Sequence, residues 1–223
     1  MNPSIGQAWI CPAPTSKREI TLSPAIPTSR VVCFIALATS GAIADLWTKS
    51  AIFKWRGLPG ESDPFWVIDG VLGIETAVNI GAVFGLGAGK GLFFAAFSVI
   101  AAIAILVWLF YFRAAQSLWL TVALGMITGG IIGNLYDRLG MWWIDGYPAQ
   151  WQSGVRDWIL FQIDGVPGLS PWPNFNIADS LLVVGAGMLM YQSFFPGSDP
   201  SEETGTESDS TSQNNDRLHD APT

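Results

Sequence analysis

Residues 91–112 read GLFFAAFSVIAAIAILVWLFYF, a run of 22 residues without a charged side chain. Residues 114–136, AAQSLWLTVALGMITGGIIGNLY, form a second uncharged run of 23 residues. A helix rises about 1.5 Å per residue, so each run is long enough to cross the hydrocarbon core of a bilayer. The two runs therefore predict a pair of transmembrane helices that are joined by a very short link at Arg113.

Two weaker apolar segments lie on either side of this pair. Residues 31–46 contain Asp45 near their end, and residues 175–195 contain Asp179 near their beginning. Together the four segments predict a mainly α-helical membrane protein with four transmembrane helices. Because the number of spans is even, both termini are expected on one side of the membrane. The opposite side is expected to hold the two long connections, 49–90 and 137–174.

Composition divides the chain into three parts. Residues 1–30 are rich in proline and predict an irregular extension, and residues 31–195 form the predicted membrane domain. Residues 196–223 carry seven acidic side chains against one arginine, which accounts for most of the net charge of −7. We expect this acidic tail to be disordered, because it has few apolar residues to bury.

The distribution of charge excludes some functions and leaves the orientation open. No basic patch is present, so nucleic acid is excluded as a partner. Five lysines and arginines fall on the side of the termini and six on the opposite side, which gives no positive-inside bias. The single histidine, His219, lies in the tail, and the two cysteines are far apart in sequence. The sequence therefore predicts neither a metal site nor a cofactor.

Polar residues gather at the ends of the predicted spans. The first span ends at Asp45, the third ends at Asn134 and Asp137, and the fourth begins at Asn176 and Asp179. Alternate spans run in opposite directions, so all these ends are expected at the same membrane surface. Ionisable residues in a span are costly, which makes them candidates for function.

Two of these groups share one pattern, an asparagine three residues before an aspartate. On a helix, residues three apart lie on the same face. Simple capping would explain one such pair, but two facing pairs together with Asp45 favour a site. Two carboxylates a few ångströms apart can share one proton, so that one activates water while the other polarises a carbonyl group. This is the chemistry of aspartic peptide hydrolysis. A His-based triad is excluded, whereas a Ser–Lys dyad stays open.

Five motifs in order resemble those of the bacterial lipoprotein signal peptidases, the signal peptidase II family. The ordered set is far more specific than any single motif. These motifs are Asp45-Leu-Trp-Thr48-Lys49, Asn79-Ile-Gly81-Ala82-Val-Phe84-Gly85, Gly129-Gly130-Ile-Ile-Gly133-Asn134-Leu-Tyr-Asp137-Arg138, Gly154-Val155-Arg156-Asp157-Trp158-Ile159 and Phe175-Asn176-Ile177-Ala178-Asp179-Ser180.

The resemblance implies an aspartic endopeptidase of the bacterial cytoplasmic membrane, without a cofactor. Such an enzyme removes the signal peptide of lipid-modified prolipoproteins just before the diacylglyceryl cysteine. The resemblance implies Asp157 and Asp179 as the catalytic pair, and Asp45 and Lys49 as a structural pair. It also implies cytoplasmic termini, an extracytoplasmic active site, a small β-rich cradle in the first outer connection, contact with membrane lipids and a monomer. The residues implied to line or brace the site are Asn79, Gly81, Asn134, Asp137, Arg138, Asn176 and Ala178.

The chain departs from the family pattern between Asp137 and Asp157. The nineteen residues between them include a tryptophan-rich insert, residues 141–153, and in it Asp145. Asp145 is a rival for the catalytic role, but the residues around Asp157 fit the family motif better. Because tryptophan favours the headgroup level of a membrane, the insert is predicted to be a peripheral interfacial loop.

Two other classes of membrane protein remain as alternatives. A small ion- or proton-coupled transporter would use carboxylates to relay protons, but its site usually lies near the midplane between repeated halves. The candidate carboxylates of this chain lie at one end of the spans, and no internal repeat is visible. The transporter therefore ranks below the peptidase, and a non-catalytic scaffold ranks third.

Overall fold

The computed structural model describes residues 25–81, 89–163, 170 and 172–195. Three features named above lie outside or largely outside these residues: the extension 1–30, of which only 25–30 are described, the acidic tail 196–223, and the segment 82–88 that contains Ala82, Phe84 and Gly85.

Within these residues, four helical segments are long and apolar enough to cross a membrane, as the sequence predicts. Three are the helices α1 (Thr28–Arg56), α3 (Leu118–Arg138) and α4 (Ile177–Phe194). The other is α2 (Gly91–Leu106) together with the π-helical segment Val107–Tyr111 that continues it. The fold class predicted from the uncharged runs is confirmed.

The bounds of α1 differ from the prediction, which ended the first apolar segment at residue 46. The helix continues for ten more residues, to Arg56, and is followed by Gly57, whose φ of 80° is unfavourable for any residue with a side chain. Lys49 does not interrupt the helix, because lysine is a good helix former, and its ammonium group is buried and paired within the protein. A charged side chain therefore does not mark the end of a helix in this protein.

A small antiparallel sheet lies beside the helix ends. It contains β1 (Phe65–Ile68), β2 (Leu72–Asn79) and β3 (Val155–Phe161), in that order. The sequence predicts the β-rich element in the first connection alone, which is incomplete because β3 comes from the second. β3 pairs with β2 in a register that sets Asp157 opposite Ala77. Pairing of the two connections thus brings Asp157 to the ends of the spans.

Helix α3 lies at the centre of the bundle and packs against α1, α2 and α4. Its glycines permit close approach, since a Cβ atom on Gly129 would lie 3.1 Å from the carbonyl oxygen of Ala38 in α1. Helix α2 is more peripheral, and Leu92, Phe93 and Phe97 are all more than 60% exposed. Such large exposed apolar side chains suit contact with lipid, and they confirm the membrane interpretation of this helix.

Candidate active site

A buried charge cluster joins α1, α3 and β3. The ammonium group of Lys49 lies 2.7 Å from a carboxylate oxygen of Asp45 and 3.3 Å from one of Asp137, and all three side chains are fully buried. Arg156 donates from Nε and Nη2 to the same Asp137 oxygen, at 3.1 and 2.8 Å. The cluster thus contains two cations and two anions, and this balance allows it to be buried.

Asp45 also connects α1 to the start of α4. Its Oδ1 atom accepts a hydrogen bond of 2.9 Å from the backbone N–H of Ala178, one of the free donors of the first helical turn. A side chain at Gly133 in α3 would collide with the carboxylate of Asp45. The glycine of the third motif therefore makes room for the aspartate of the first.

Asn176 holds two carboxylates at the start of α4. Its side-chain amide donates to Asp157 Oδ1 at 2.6 Å, and its backbone N–H donates to Asp179 Oδ2 at 3.3 Å. Its side-chain oxygen accepts from the backbone N–H of Asp179 at 2.9 Å, which completes a capping box. One capping residue thus brings the two aspartates of the predicted pair onto the same group.

Asn134 binds the other side of Asp179. Its amide nitrogen donates to Asp179 Oδ1 at 2.8 Å, and its amide oxygen accepts from Lys49 Nζ at 3.0 Å. The lysine therefore sets which way the asparagine amide faces. The two Asn-x-x-Asp motifs differ in use, since Asp137 pairs with Arg156 whereas Asp179 lies beside Asp157.

The surroundings of Asp157 favour its protonated form. Its side chain is only 2% exposed, whereas Asp179 is half-buried. Burial in the first place, and the negative charge of Asp179 in the second, raise the pKa of Asp157 well above its usual range. Two such carboxylates can hold a single proton between them, with one acting as an acid and the other as a base.

Arg138 braces the wall of this site through backbone carbonyl groups. Its Nη1 atom donates to the carbonyl oxygens of Asn79 and Ser153 at 3.2 and 3.1 Å, and Nη2 donates to that of Gly81. The side chain of Asn79 accepts from the N–H of Gly81 at 3.0 Å, which turns the chain at the end of β2. These residues shape the backbone next to the carboxylate pair.

The tryptophan-rich insert has an exposed part and an anchored part. Asp145 is exposed and lies in a turn. Trp142, by contrast, donates from its indole nitrogen to the carbonyl oxygen of Gly154 at 2.9 Å. Its ring lies 6.0 Å from that of Phe53, and the guanidinium of Arg156 lies 5.4 Å from it. Trp142 therefore anchors the insert to the protein, and the interfacial location of the insert stays a prediction.

Sequence comparison identifies the family to which this arrangement belongs. The profile of the family "Signal peptidase (SPase) II" matches residues 37–195, which include every residue of the carboxylate network. The chain belongs to the signal peptidase II family.

Individual relatives support the assignment. A lipoprotein signal peptidase of Rhodopirellula baltica is 62% identical over 191 residues, which cover 86% of this chain and 84% of the relative. A lipoprotein signal peptidase of Alteromonas mediterranea is 37% identical over 187 residues, or 81% and 91% of the two chains. A solved structure described as a bacterial membrane enzyme aligns with a TM-score of 0.60 and 28% identity, over 78% of this chain and 92% of that one.

Membership of the signal peptidase II family makes the chain a protease and a multi-pass membrane protein. It decides in favour of the peptidase over the transporter and the scaffold. Among the residues that the structure describes, no three His, Cys, Asp or Glu side chains are grouped so that they could hold a metal ion.

Sequence reasoning missed Arg156 as a member of the site. The signal was available, since Arg156 directly precedes the candidate catalytic Asp157 in a chain with only 13% charged residues. Its side chain is 5% exposed and pairs with Asp137, which stood among the predicted supporting residues. In the signal peptidase II fold of this chain, Arg156 therefore links the insert to the buried charge cluster.

Proposed function

We propose that this protein is an aspartic endopeptidase which cleaves the signal peptide from diacylglyceryl-modified prolipoproteins, with Asp157 and Asp179 as its catalytic pair. The observation that carries the proposal is the hydrogen bonding of Asn176 to both carboxylates. Family membership supports the peptidase activity, and the names of the relatives support the lipoprotein substrate.

The hydrogen bonds support Asp157 as the general acid and Asp179 as the general base in the first step. Asp157 begins protonated, because its pKa is raised, and it donates this proton to the scissile carbonyl oxygen. Asp179 begins ionised, because the amide of Asn134 and the backbone N–H of Asn176 donate to its two oxygens. It removes a proton from the attacking water, whose oxygen forms a bond to the carbonyl carbon.

The second half of the reaction returns the protons. Asp179 passes its new proton to the amide nitrogen, and the carbon–nitrogen bond breaks as Asp157 recovers its proton from the tetrahedral intermediate. The pair ends in its starting state, so neither a metal nor a nucleophilic side chain is required. Asn134 and Asn176 keep the carboxylates in place throughout.

The position of the pair suits a substrate with a lipid anchor. The pair lies where α1 and α3 end and α4 begins, so a peptide anchored in the bilayer can reach it from the side. We place this face outside the cytoplasm, in the bacterial cytoplasmic membrane, with both termini in the cytoplasm and the chain acting as a monomer. We also propose the division of the chain into an N-terminal extension (1–30), a membrane domain (31–195) and an acidic tail (196–223).

The supporting residues have distinct proposed roles. Asn79, Gly81 and Arg138 shape the strand end beside the pair, and Ala178 orients the start of α4 through its N–H. Asp45 and Lys49 stabilise the helix ends.

Three matched substitutions test the assignment of the pair. The assay is cleavage of a lipidated prolipoprotein by the purified protein in detergent, followed by gel shift. Asp157→Asn and Asp179→Asn should each lower kcat by about 10²–10⁴-fold, because an amide cannot exchange the shared proton. Asp145→Asn is the control, and it should reduce turnover modestly at most.

Folding must be shown to persist, so each variant is compared with the parent by thermal unfolding. Near-parental turnover of Asp157→Asn would remove that residue from the mechanism. If Asp145→Asn lost activity while Asp157→Asn kept it, the catalytic role would belong to Asp145 in the insert and not to Asp157.

A further inference from the structure

A cleft lies on the side of strand β3 opposite to Asp157. Its volume is about 520 Å³, and it is bounded by the last two turns of α1 and by the insert. Its walls include Ser50, Phe53, Lys54, Glu61, Trp142 and Arg156. Because side chains alternate along a strand, Arg156 points to the face opposite Asp157, so this cleft is separate from the carboxylate pair.

The cleft lies where α1 leaves the membrane. The helix ends at Arg56, and Trp142 and Tyr147 contribute the kind of aromatic side chains that favour the headgroup level of a bilayer. A ligand in this cleft would therefore lie among lipid headgroups.

Arg156 and Lys54 have N–H groups in the cleft that can donate hydrogen bonds to a ligand. Arg156 gives Nε and Nη2 to Asp137, but Nη1 has only a long contact of 3.4 Å, to the hydroxyl of Ser50. Lys54 is exposed, and no ion pair or hydrogen bond joins it to the residues that the structure describes. A phosphate group bound here would accept from both cations, and charge-assisted hydrogen bonds of this kind are strong.

The same cleft contains one carboxylate. Glu61 is exposed, and its Oε2 atom accepts from the backbone N–H of Leu58 at 2.7 Å, which fixes its position. The charge of Arg156 is balanced by Asp137, so Arg156 adds a hydrogen-bond donor, while Lys54 and Glu61 add one cation and one anion. This arrangement complements a zwitterion, in which a phosphate and an ammonium group are a few ångströms apart.

An apolar stripe of α1 leads away from the cleft. Ile43 and Trp47 are 61% and 70% exposed, and they lie four residues apart on one face of the helix. Lys54 follows Trp47 after seven residues, or about two turns, so it lies at the end of that same face. An acyl chain can therefore run along α1 from a headgroup bound at Lys54.

We propose that this cleft is a binding site for a glycerophospholipid with a zwitterionic phosphoethanolamine headgroup. The phosphate contacts Arg156 Nη1 and Lys54 Nζ, the ammonium group faces Glu61, and one acyl chain follows the stripe of α1. The site does not depend on the proposed catalytic pair, because it requires only that the protein spans a membrane.

Native mass spectrometry of the delipidated full-length protein in detergent tests this proposal. The probes are dioleoylphosphatidylethanolamine, dioleoylphosphatidylglycerol, dioleoylglycerol and inorganic phosphate. We expect phosphatidylethanolamine to bind most tightly, phosphatidylglycerol less so, and dioleoylglycerol weakest because it has no phosphate. Millimolar inorganic phosphate should not displace the bound lipid.

Single substitutions assign the contacts. Lys54→Gln should weaken binding of phosphatidylethanolamine about tenfold, through the loss of one charge-assisted hydrogen bond. The control is Lys90→Gln, which removes another exposed lysine at the start of α2. Glu61→Gln should reduce the preference for phosphatidylethanolamine over phosphatidylglycerol. Cleavage by Lys54→Gln should match that of the parent.

Three results would overturn the proposal. Equal binding of dioleoylglycerol would show that the cleft does not recognise phosphate. Equal affinity of Lys54→Gln and Lys90→Gln would place the lipid elsewhere. Displacement by inorganic phosphate would identify a free anion as the ligand.

Discussion

Lys49 offers the sharpest test of how the buried charge cluster stabilises the fold. Its ammonium group contacts Asp45 at 2.7 Å, Asp137 at 3.3 Å and the amide oxygen of Asn134 at 3.0 Å, with its side chain fully buried. Lys49→Met keeps most of the volume and removes the charge. Arg156 is then the only cation left in the cluster, against two buried carboxylates.

The size of the effect follows from the burial of these groups. Removing one partner of a buried ion pair costs about 3–5 kcal/mol, because the charge left behind has no compensation. For a protein of this size, that loss corresponds to a fall in melting temperature of about 6–20 °C. Activity should fall as well, since Lys49 orients Asn134 towards Asp179.

The assay is thermal unfolding in detergent, followed by circular dichroism, of a double-mutant cycle. Asp45→Asn combined with Lys49→Met restores the balance of charge. The double variant should therefore lose about 0.5–3 kcal/mol less free energy of unfolding than the sum of the losses of the two single variants. Lys90→Met, at an exposed position, serves as the control and should change stability by about 0.5 kcal/mol or less. A melting temperature of Lys49→Met equal to that of the control, or strict additivity in the cycle, would refute the reasoning.

Three further predictions concern packing, pH and the tail. Gly133→Ala should lower the melting temperature, because its Cβ would collide with Asp45, whereas Gly187→Ala, with open space around it, should not. Cleavage should fall as the pH rises through the raised pKa of Asp157, since the shared proton is then lost. A kcat/KM profile that does not decline on its alkaline side would contradict this. Deletion of residues 197–223 should leave turnover in the gel-shift assay almost unchanged, because the segment has few apolar residues with which to dock; a large loss would reveal a role for it.

The agreement between sequence and structure is closest for the membrane helices. The uncharged runs at 91–112 and 114–136 lead to α2 and α3, because insertion of a helix into lipid depends on the summed hydropathy of neighbouring residues. The gathering of Asp45, Asn134 and Asp179 at one surface also follows from sequence, since it requires only the number and order of the spans.

Sequence patterns predict less where the partners of a side chain come from distant parts of the chain. Lys49 lies inside α1 rather than beyond it, because Asp137 and Asn134 of α3 complete its environment. The contacts of the insert could not be derived from its tryptophans alone, since Trp142 packs on Arg156 of β3 and Phe53 of α1.

The sequence by itself determined that this is a four-span membrane protein with a polar surface at one end, and its ordered motifs indicated the family. Only the tertiary structure decided which partners each aspartate has. Asp45, Asp137 and Asp157 are chemically identical, yet the first two pair with Lys49 and Arg156 while the third meets Asn176. The role of a carboxylate depends on the atoms within a few ångströms of it. In this protein those atoms belong to residues up to 133 positions away in sequence, as with Ala178 and Asp45.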